Sequence, residues 1–353
     1  MSEIIKVGQV GFGMSGQLFH APFIEANKNF NLKKVVERHN RNSENYYPYV
    51  EIVKSFDELL LDEEIQLIVI TTPNIYHYEQ TKKALLAEKH VVIEKPFTPT
   101  AKEAQELIDL SLKQKRHIFV FQNRRWDGDF MTIQKLLQTD LLGDLIEYEA
   151  HFDRYSPKLN TKPWKEADDP AGGNLYDLGT HLIDQAVCLF GLPDSVWADI
   201  RTQRDGSKVD DAFEVILNYP ELKVTLKAGM LVREEGPRYI LNGTKGSFVK
   251  YGIDPQENDL DKGFSPDNEG WGEDFPEKYG FLNTAIDGLI FQGNIKTIAG
   301  SYQKFYKNVY DVLMKNTEAA IKPEEARDVI RIIELAFESH RLGKVLQFDE
   351  RIN

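Results

Sequence analysis

The chain has 353 residues, 41% hydrophobic and 28% charged, with a formal net charge of −13. Those proportions fit a folded chain long enough for two domains, and the acidic balance argues against a nucleic-acid partner, because a phosphate backbone repels it. No apolar stretch approaches the ~18 residues of a membrane helix. No basic leader precedes the first apolar run, and Cys188 is the single cysteine, which excludes an intrachain disulfide and a cysteine-rich metal site. The expectation is a soluble, cytoplasmic protein with no membrane partner and no metal.

Up to about residue 124 the chain alternates short β-branched runs with amphipathic stretches. Strands are predicted at residues 6–11, 32–37, 51–53, 66–71, 90–94 and 117–121. Runs such as Leu67-Ile68-Val69-Ile70 and Val91-Val92-Ile93 read as parallel strands buried on both faces. Between them, Ser55-Phe56-Asp57-Glu58 and Thr100-Ala101-Lys102-Glu103 fit the capping box that opens a helix. Asn74, after Pro73, is placed to cap the helix running toward Ala87. This alternation predicts an α/β Rossmann domain, a doubly wound parallel sheet, over residues 1–124.

Beyond Trp126 the pattern changes. Ile146, Tyr148, Ala150 and Phe152 alternate with Glu147, Glu149, His151 and Asp153, the period of a strand with unlike faces. Further strands are predicted at 196–203, 213–219, 223–230, 238–241 and 247–251. Tyr219-Pro220 and Asn242-Gly243 supply turn signals that suggest an antiparallel meander. Residues 156–174 and 252–280 read as long loops, of the kind that often serve as lids or contact arms. Helices return at 302–314 and 323–342. Residues 125–353 are therefore expected to form an α+β C-terminal domain with a large, mostly antiparallel open sheet.

Gly11-Phe12-Gly13-Met14-Ser15-Gly16 matches the G-x-G-x-x-G turn of dinucleotide sites and stands where that turn belongs, between a first strand and a helix. The first glycine permits the tight turn, the second lets backbone approach a pyrophosphate, and the third packs helix against strand. Glu37 ends the second strand about twenty residues on, where an acid binds the adenosine ribose of NAD. Arg38 follows it, and an arginine there suits the 2′-phosphate of NADP. Both cofactors stay open.

Thr71-Thr72-Pro73-Asn74, Glu94-Lys95-Pro96 and Gln122-Asn123-Arg124-Arg125-Trp126 fall where a doubly wound sheet places its ligands, past the carboxyl ends of strands. Lys95 could stabilise a developing alkoxide, or merely pair with Glu94. Asp177 and His181 are four apart and share a face if the helix covers Asp177. A carboxylate beside an imidazole makes a general base. A helix cap by Asp177 with a satisfied His181 is an alternative, and a metal site with Asp184 a weaker one.

In this order and spacing, these segments and the closing helix resemble the Gfo/Idh/MocA oxidoreductases over nearly the whole chain. Asn123 to Asp127, Phe152-Asp153-Arg154-Tyr155, Tyr176 to Gly179 and Tyr251-Gly252-Ile253-Asp254 look most like the branch of NADP-dependent scyllo-inositol dehydrogenases. The resemblance implies a hydride transfer between NAD(P) and a secondary alcohol of a cyclic polyol or sugar. By it, Lys95 binds and polarises the reacting hydroxyl, His181 is the acid/base, and Asp177 orients substrate or histidine. Thr72, Pro73, Asn74 and His77 would line the nicotinamide ribose, with Asn123, Arg124 and Trp126 near the nicotinamide. Arg154, Tyr155 and Trp164 are expected substrate contacts. Glu37 departs from the small residue that NADP users of the branch tend to carry there, so the lean to NADP over NAD is slight. The resemblance also implies that the domain over residues 125–353 binds substrate and makes oligomer contacts through its open sheet face, so a homodimer or homotetramer is expected. The alternative is a non-catalytic dinucleotide- or sugar-binding regulator, to which the Lys95, Asp177 and His181 set would be superfluous.

Overall fold

Strands β1 (Ile5–Val10), β2 (Phe30–Val36), β3 (Glu51–Val53), β4 (Leu67–Ile70), β5 (His90–Ile93) and β6 (Ile118–Val120) form a six-stranded sheet in the order β3-β2-β1-β4-β5-β6. All its pairs are parallel. This computed structural model describes residues 4–159 and 170–349. Every residue of β4 is fully buried, which is why its four consecutive aliphatic side chains carry no alternation. Helices Phe56–Leu60, His77–Leu86 and Ala101–Gln114 lie between the strands in the chain. Both predicted caps form: the Ser55 hydroxyl accepts the Glu58 N–H at 3.1 Å, and Thr100 and Glu103 make the reciprocal box. Asn74 does not cap its helix. It opens a single 3₁₀ turn, Asn74–Tyr76, from which the α-helix continues at His77.

The chain divides into two compact units. The first is Met1–Asn123 with two later segments, Gln256–Trp271 and Ser301–Arg327; the second is Arg124–Pro255, Gly272–Gly300 and Asp328–Asn353. Gln256 ties the two returning segments together, its Oε1 accepting the Trp271 indole N–H at 3.1 Å and the Tyr302 N–H at 2.8 Å. A short helix, Gln256–Asp261, thus occupies part of the stretch read as loop.

In the second unit, β7 (Leu145–His151), β8 (Ser195–Arg201), β9 (Ala212–Asn218), β10 (Lys223–Gly229), β11 (Tyr239–Gly243), β12 (Gly246–Lys250), β13 (Gly280–Ile286), β14 (Leu289–Ile295) and β15 (Leu346–Gln347) form a nine-stranded sheet. Its order is β14-β13-β12-β11-β7-β10-β9-β8-β15. The sheet is mostly antiparallel, but not a simple meander, because central β7 pairs parallel with β10. Tyr148, Ala150 and Phe152 are buried as the alternation implies, whereas Ile146 is half exposed. Asn242-Gly243 is not the hairpin turn. The register of β11 on β7 shifts there, and a Cβ on Gly243 would lie 2.2 Å from the Leu142 carbonyl oxygen.

Strands β13 and β14 lie outside the sequence prediction, although a signal was present. Asp287-Gly288 joins two apolar runs, and both residues have positive φ, 49° and 82°, as a two-residue primed hairpin turn requires. Among the described residues no helix is long and apolar enough to cross a membrane, and no cluster of His, Cys, Asp and Glu could hold a metal.

Candidate active site

Parallel pairing brings the predicted segments of the first unit to one edge of its sheet. Gly11 to Gly16 follow β1, Glu37 and Arg38 follow β2, Thr71 to Asn74 follow β4, Glu94 and Lys95 follow β5, and Asn123 follows β6. The order of crossovers reverses between β1 and β4, the switch point where open α/β sheets bind dinucleotides.

The glycine turn has the required shape. Gly11 has φ +94°, and a Cβ on Gly16 would come within 2.7 Å of the Gly11 carbonyl oxygen. A Cβ on Gly13 would meet nothing within 4 Å, so the backbone there is open to a ligand. Phe12 is buried against the rings of Tyr46 and Tyr47, while Met14 is exposed. Two side chains from neighbouring strands hold the turn. Gln9 Nε2 donates to the carbonyls of Gly11 and Gly16 at 2.9 and 3.2 Å, and the Thr71 hydroxyl donates to those of Val10 and Gly11 at 2.9 and 3.1 Å. The helix beginning here widens to a π turn over Gly16–His20. Pro22 lacks an N–H and crowds the preceding turn, and a wide turn relieves both demands. An open glycine backbone at a helix start fits a pyrophosphate.

Glu37 is engaged within its own loop. Its carboxylate is turned inward, accepting the N–H of Asn42 at 2.9 Å, the N–H of Ser43 at 3.0 Å and the Ser43 hydroxyl at 2.5 Å. Both oxygens are spent anchoring the short helix Ser43–Tyr46. Unpaired N–H groups at a helix start attract a carboxylate locally, and the sequence expectation of a ribose acceptor did not include these contacts. Arg38 and His39 remain exposed, while Arg41 is paired to Glu44.

At the next strand ends, the Thr72 hydroxyl donates to Gln80 Oε1 at 2.6 Å, Thr72 and Asn74 are half-buried and Pro73 is exposed. His77 is buried, with Nδ1 2.8 Å from the Pro96 carbonyl and Nε2 3.0 Å from the Thr72 carbonyl. Its ring therefore bridges the turns that carry Thr72 and Pro96. Burial pushes its pKa down, against the two carbonyl contacts that push it up. Lys95 is half-buried at the end of β5. Asn123 is buried and opens the 3₁₀ turn Asn123–Trp126.

In the second unit, that turn carries Arg124 and half-buried Trp126. The Arg124 guanidinium lies 5.0 Å from the Phe152 ring centroid, and Gln185 donates to the Arg124 carbonyl at 3.0 Å. Asp177 lies in a π turn, Leu175–Gly179, and His181 is the second residue of helix Thr180–Phe190. The helical path thus covers Asp177, with a wider turn than the four-residue spacing assumes. His181 is buried, its ring edge-on to Phe152 at 6.4 Å. Asp184 is gripped by the Arg125 fork at 2.8 and 2.7 Å, which uses the carboxylate that the metal alternative needed. Arg154 and Tyr155 are exposed, and Arg233 stacks 4.1 Å over the Tyr155 ring. Trp164 lies outside the described residues.

Gln9, Ser43, His20 and Tyr306 were not singled out by sequence. A lone glutamine inside an apolar strand, Val7-Gly8-Gln9-Val10, is a readable anomaly, since a buried amide needs partners. Tyr306 has no local signal; only the fold brings it to His20.

The sheet order, the glycine turn and its anchors define a nicotinamide-dinucleotide oxidoreductase. Residues 5–122 match the domain described as "Oxidoreductase family, NAD-binding Rossmann fold", and residues 134–348 match "Oxidoreductase family, C-terminal alpha/beta domain". The chain belongs to the Gfo/Idh/MocA oxidoreductase family and is an NAD(P)-dependent dehydrogenase. It is similar to scyllo-inositol 2-dehydrogenase (NADP(+)) IolW of Bacillus subtilis, 37% identical over 98% of this chain and 97% of that protein. Among solved structures, yvaA of Bacillus subtilis superposes with a TM-score of 0.96 at 37% identity, covering 99% of each chain. A Bacteroides fragilis structure gives 0.91 at 46% identity, covering 98% of this chain and 100% of that one.

Proposed function

We propose that this dehydrogenase acts on CH–OH donors, oxidising a secondary alcohol of an inositol-like cyclic polyol or sugar, and uses NADP. The observation that carries the cofactor choice is the inward turn of Glu37. With its charge spent on backbone N–H groups, the acid no longer opposes a 2′-phosphate, and exposed Arg38 can pair with one. The polyol class rests on the similarity to IolW.

A bound nicotinamide would supply the acceptor for the hydride that leaves the carbinol carbon. The chain's own residues handle the hydroxyl. Lys95 donates to its oxygen and steadies negative charge there, while His181 takes its proton. Asp177 orients the substrate or the imidazole. Asn74 and Asn123 follow β4 and β6 on the same carboxyl edge of the sheet as the glycine turn and are proposed cofactor contacts, and Arg154 and Tyr155 are proposed substrate contacts. Oligomerisation is proposed through a second copy of the chain, which would cover the exposed Leu289, Ile290 and Phe291 of edge strand β14. Sedimentation of the purified chain tests that.

The direct test follows formation of reduced nicotinamide with scyllo-inositol, myo-inositol and a sugar panel. Turnover with NADP on an inositol is expected. Lys95→Ala and His181→Ala should each lose about 100-fold or more in kcat while keeping cofactor affinity. Silence across the panel with intact cofactor binding would favour the regulatory reading.

A further inference from the structure

A buried hydrogen-bond chain runs through the first unit and joins the cofactor turn to Lys95. His20 is fully buried at the end of the π turn. Its Nε2 lies 3.0 Å from Glu94 Oε1, and its Nδ1 lies 2.7 Å from the Tyr306 hydroxyl. Glu94 Oε1 also accepts the Ser15 hydroxyl, and Oε2 accepts the Lys95 N–H at 3.1 Å. Ser15 belongs to the glycine turn, and Tyr306 arrives on helix Gln303–Lys315, part of a segment that returns to this unit.

With His20 as a neutral imidazole, one proton assignment satisfies every contact. The Tyr306 O–H donates to Nδ1, and the Nε2–H donates to Glu94, which as an acceptor-only carboxylate also takes Ser15 and Lys95. Burial pushes the Glu94 carboxyl up, but the hydrogen bonds from His20 and Ser15 and the neighbouring Lys95 charge outweigh it and hold it below the usual range. Burial holds Tyr306 protonated, as a donor. The rings are fixed as well: Phe121 lies 4.3 Å from His20, and Phe30 packs edge-on to Tyr306 at 5.7 Å. Burying a carboxylate costs several kcal/mol relative to apolar packing. Here the carboxylate stands between the two parts of the crevice whose spacing matters.

We propose that His20 and Tyr306 are positioning residues for the reaction: acting through Glu94, they hold Ser15 of the cofactor turn and the backbone of Lys95 in one fixed register. The inference rests on the reading of Lys95 as the group that binds the reacting hydroxyl. His20 touches no reacting atom; it orients the group that does, as an outer hydrogen-bond partner orients a ligand.

The test compares His20→Leu, His20→Gln and Tyr306→Phe, with Lys95→Ala in parallel, measuring kcat, KM for cofactor and substrate, and thermal midpoint. His20→Leu removes the donor to Glu94 and should lower kcat about 10- to 100-fold, the scale of an ångström-sized misplacement, with a smaller change in substrate KM. His20→Gln keeps an amide donor and should recover much of the loss. Tyr306→Phe keeps the ring packing and should lower kcat less, with little change in midpoint. Equal loss in His20→Leu and His20→Gln would overturn the proposal, because bulk rather than the donor would then matter. If His20→Leu does not fold, wild-type kcat in Tyr306→Phe overturns it instead. Full turnover in Lys95→Ala would overturn the role of Lys95 alone; an inactive Lys95→Ala beside a fully active His20→Leu would overturn only the positioning arm.

Discussion

The two units hold their candidate residues by different means. In the first, side chains bind backbone: Gln9 and Thr71 clamp the glycine turn, Glu37 anchors the start of Ser43–Tyr46, and His77 ties Thr72 to Pro96. In the second, buried charges bind each other. Arg125 forks onto Asp184, Arg204 meets Asp211 at 2.9 Å, and Lys250 meets Asp274 at 2.9 Å. The difference shows two routes to rigidity. A turn that presents main-chain N–H groups to a phosphate must be fixed through its own carbonyls. A helix that presents side chains can be fixed by ion pairs at its base.

Mutations should separate the two routes. The largest effect is expected in the second unit. Asp184→Ala removes the carboxylate onto which the buried Arg125 guanidinium forks, at a cost of about 3–5 kcal/mol, readable as a shift in chemical denaturation. A change below about 1 kcal/mol would show that the pair is not a support. The counterpart in the first unit is Gly16→Ala. Its Cβ would sit 2.5 Å from Gln9 Nε2 and 2.7 Å from the Gly11 oxygen, so the turn must open. Cofactor affinity should fall about 10- to 100-fold, or about 1.4–2.7 kcal/mol, by calorimetric titration; unchanged affinity would mean that the turn has slack.

A smaller, pH-dependent effect sharpens the picture of the second unit. Asp210 accepts the Leu175 N–H at 2.8 Å just before Asp177, and burial, against that bond and the other backbone N–H contacts, pushes its carboxyl up to about 6. An unfolded aspartate titrates near ~3.9. The folded chain therefore keeps a proton that the unfolded chain releases. That contribution to stability is full below ~3.9 and is lost as pH rises through about 6. Asp210→Asn should flatten the thermal midpoint between about pH 4 and 7 and raise it at neutral pH; an unaltered slope would remove Asp210 from the account. The smallest effect belongs to a cap. Thr100→Ala, which breaks the box with Glu103, should cost about 1 kcal/mol and leave turnover unchanged.

What could be read from the sequence was local. The strand runs, the Ser55 and Thr100 caps and the G-x-G-x-x-G turn all depend on neighbours within a few residues, and they place the cofactor crevice. What escaped depends on distant partners. Glu37 looked like a ribose acceptor because its position in the chain allows it, but its orientation follows from N–H groups at Asn42 and Ser43. Tyr306 meets His20 across 286 residues of chain, which no local pattern announces. The parallel pairing of β7 with β10 is equally invisible, since alternation fixes a strand's faces and not its neighbour's direction. Strands β13 and β14 were legible in principle from Asp287-Gly288.

The central claim, a dinucleotide crevice in which Glu37 is withdrawn and Arg38 reads the 2′-phosphate, is tested most directly by calorimetric titration of wild type and Arg38→Ala with NADP and NAD. The structure predicts that wild type binds NADP at least ~10-fold more tightly and that Arg38→Ala loses most of that preference, as removal of one charge-assisted phosphate contact should do. Tighter binding of NAD by wild type, with Arg38→Ala unchanged, would contradict it and return Glu37 to the ribose.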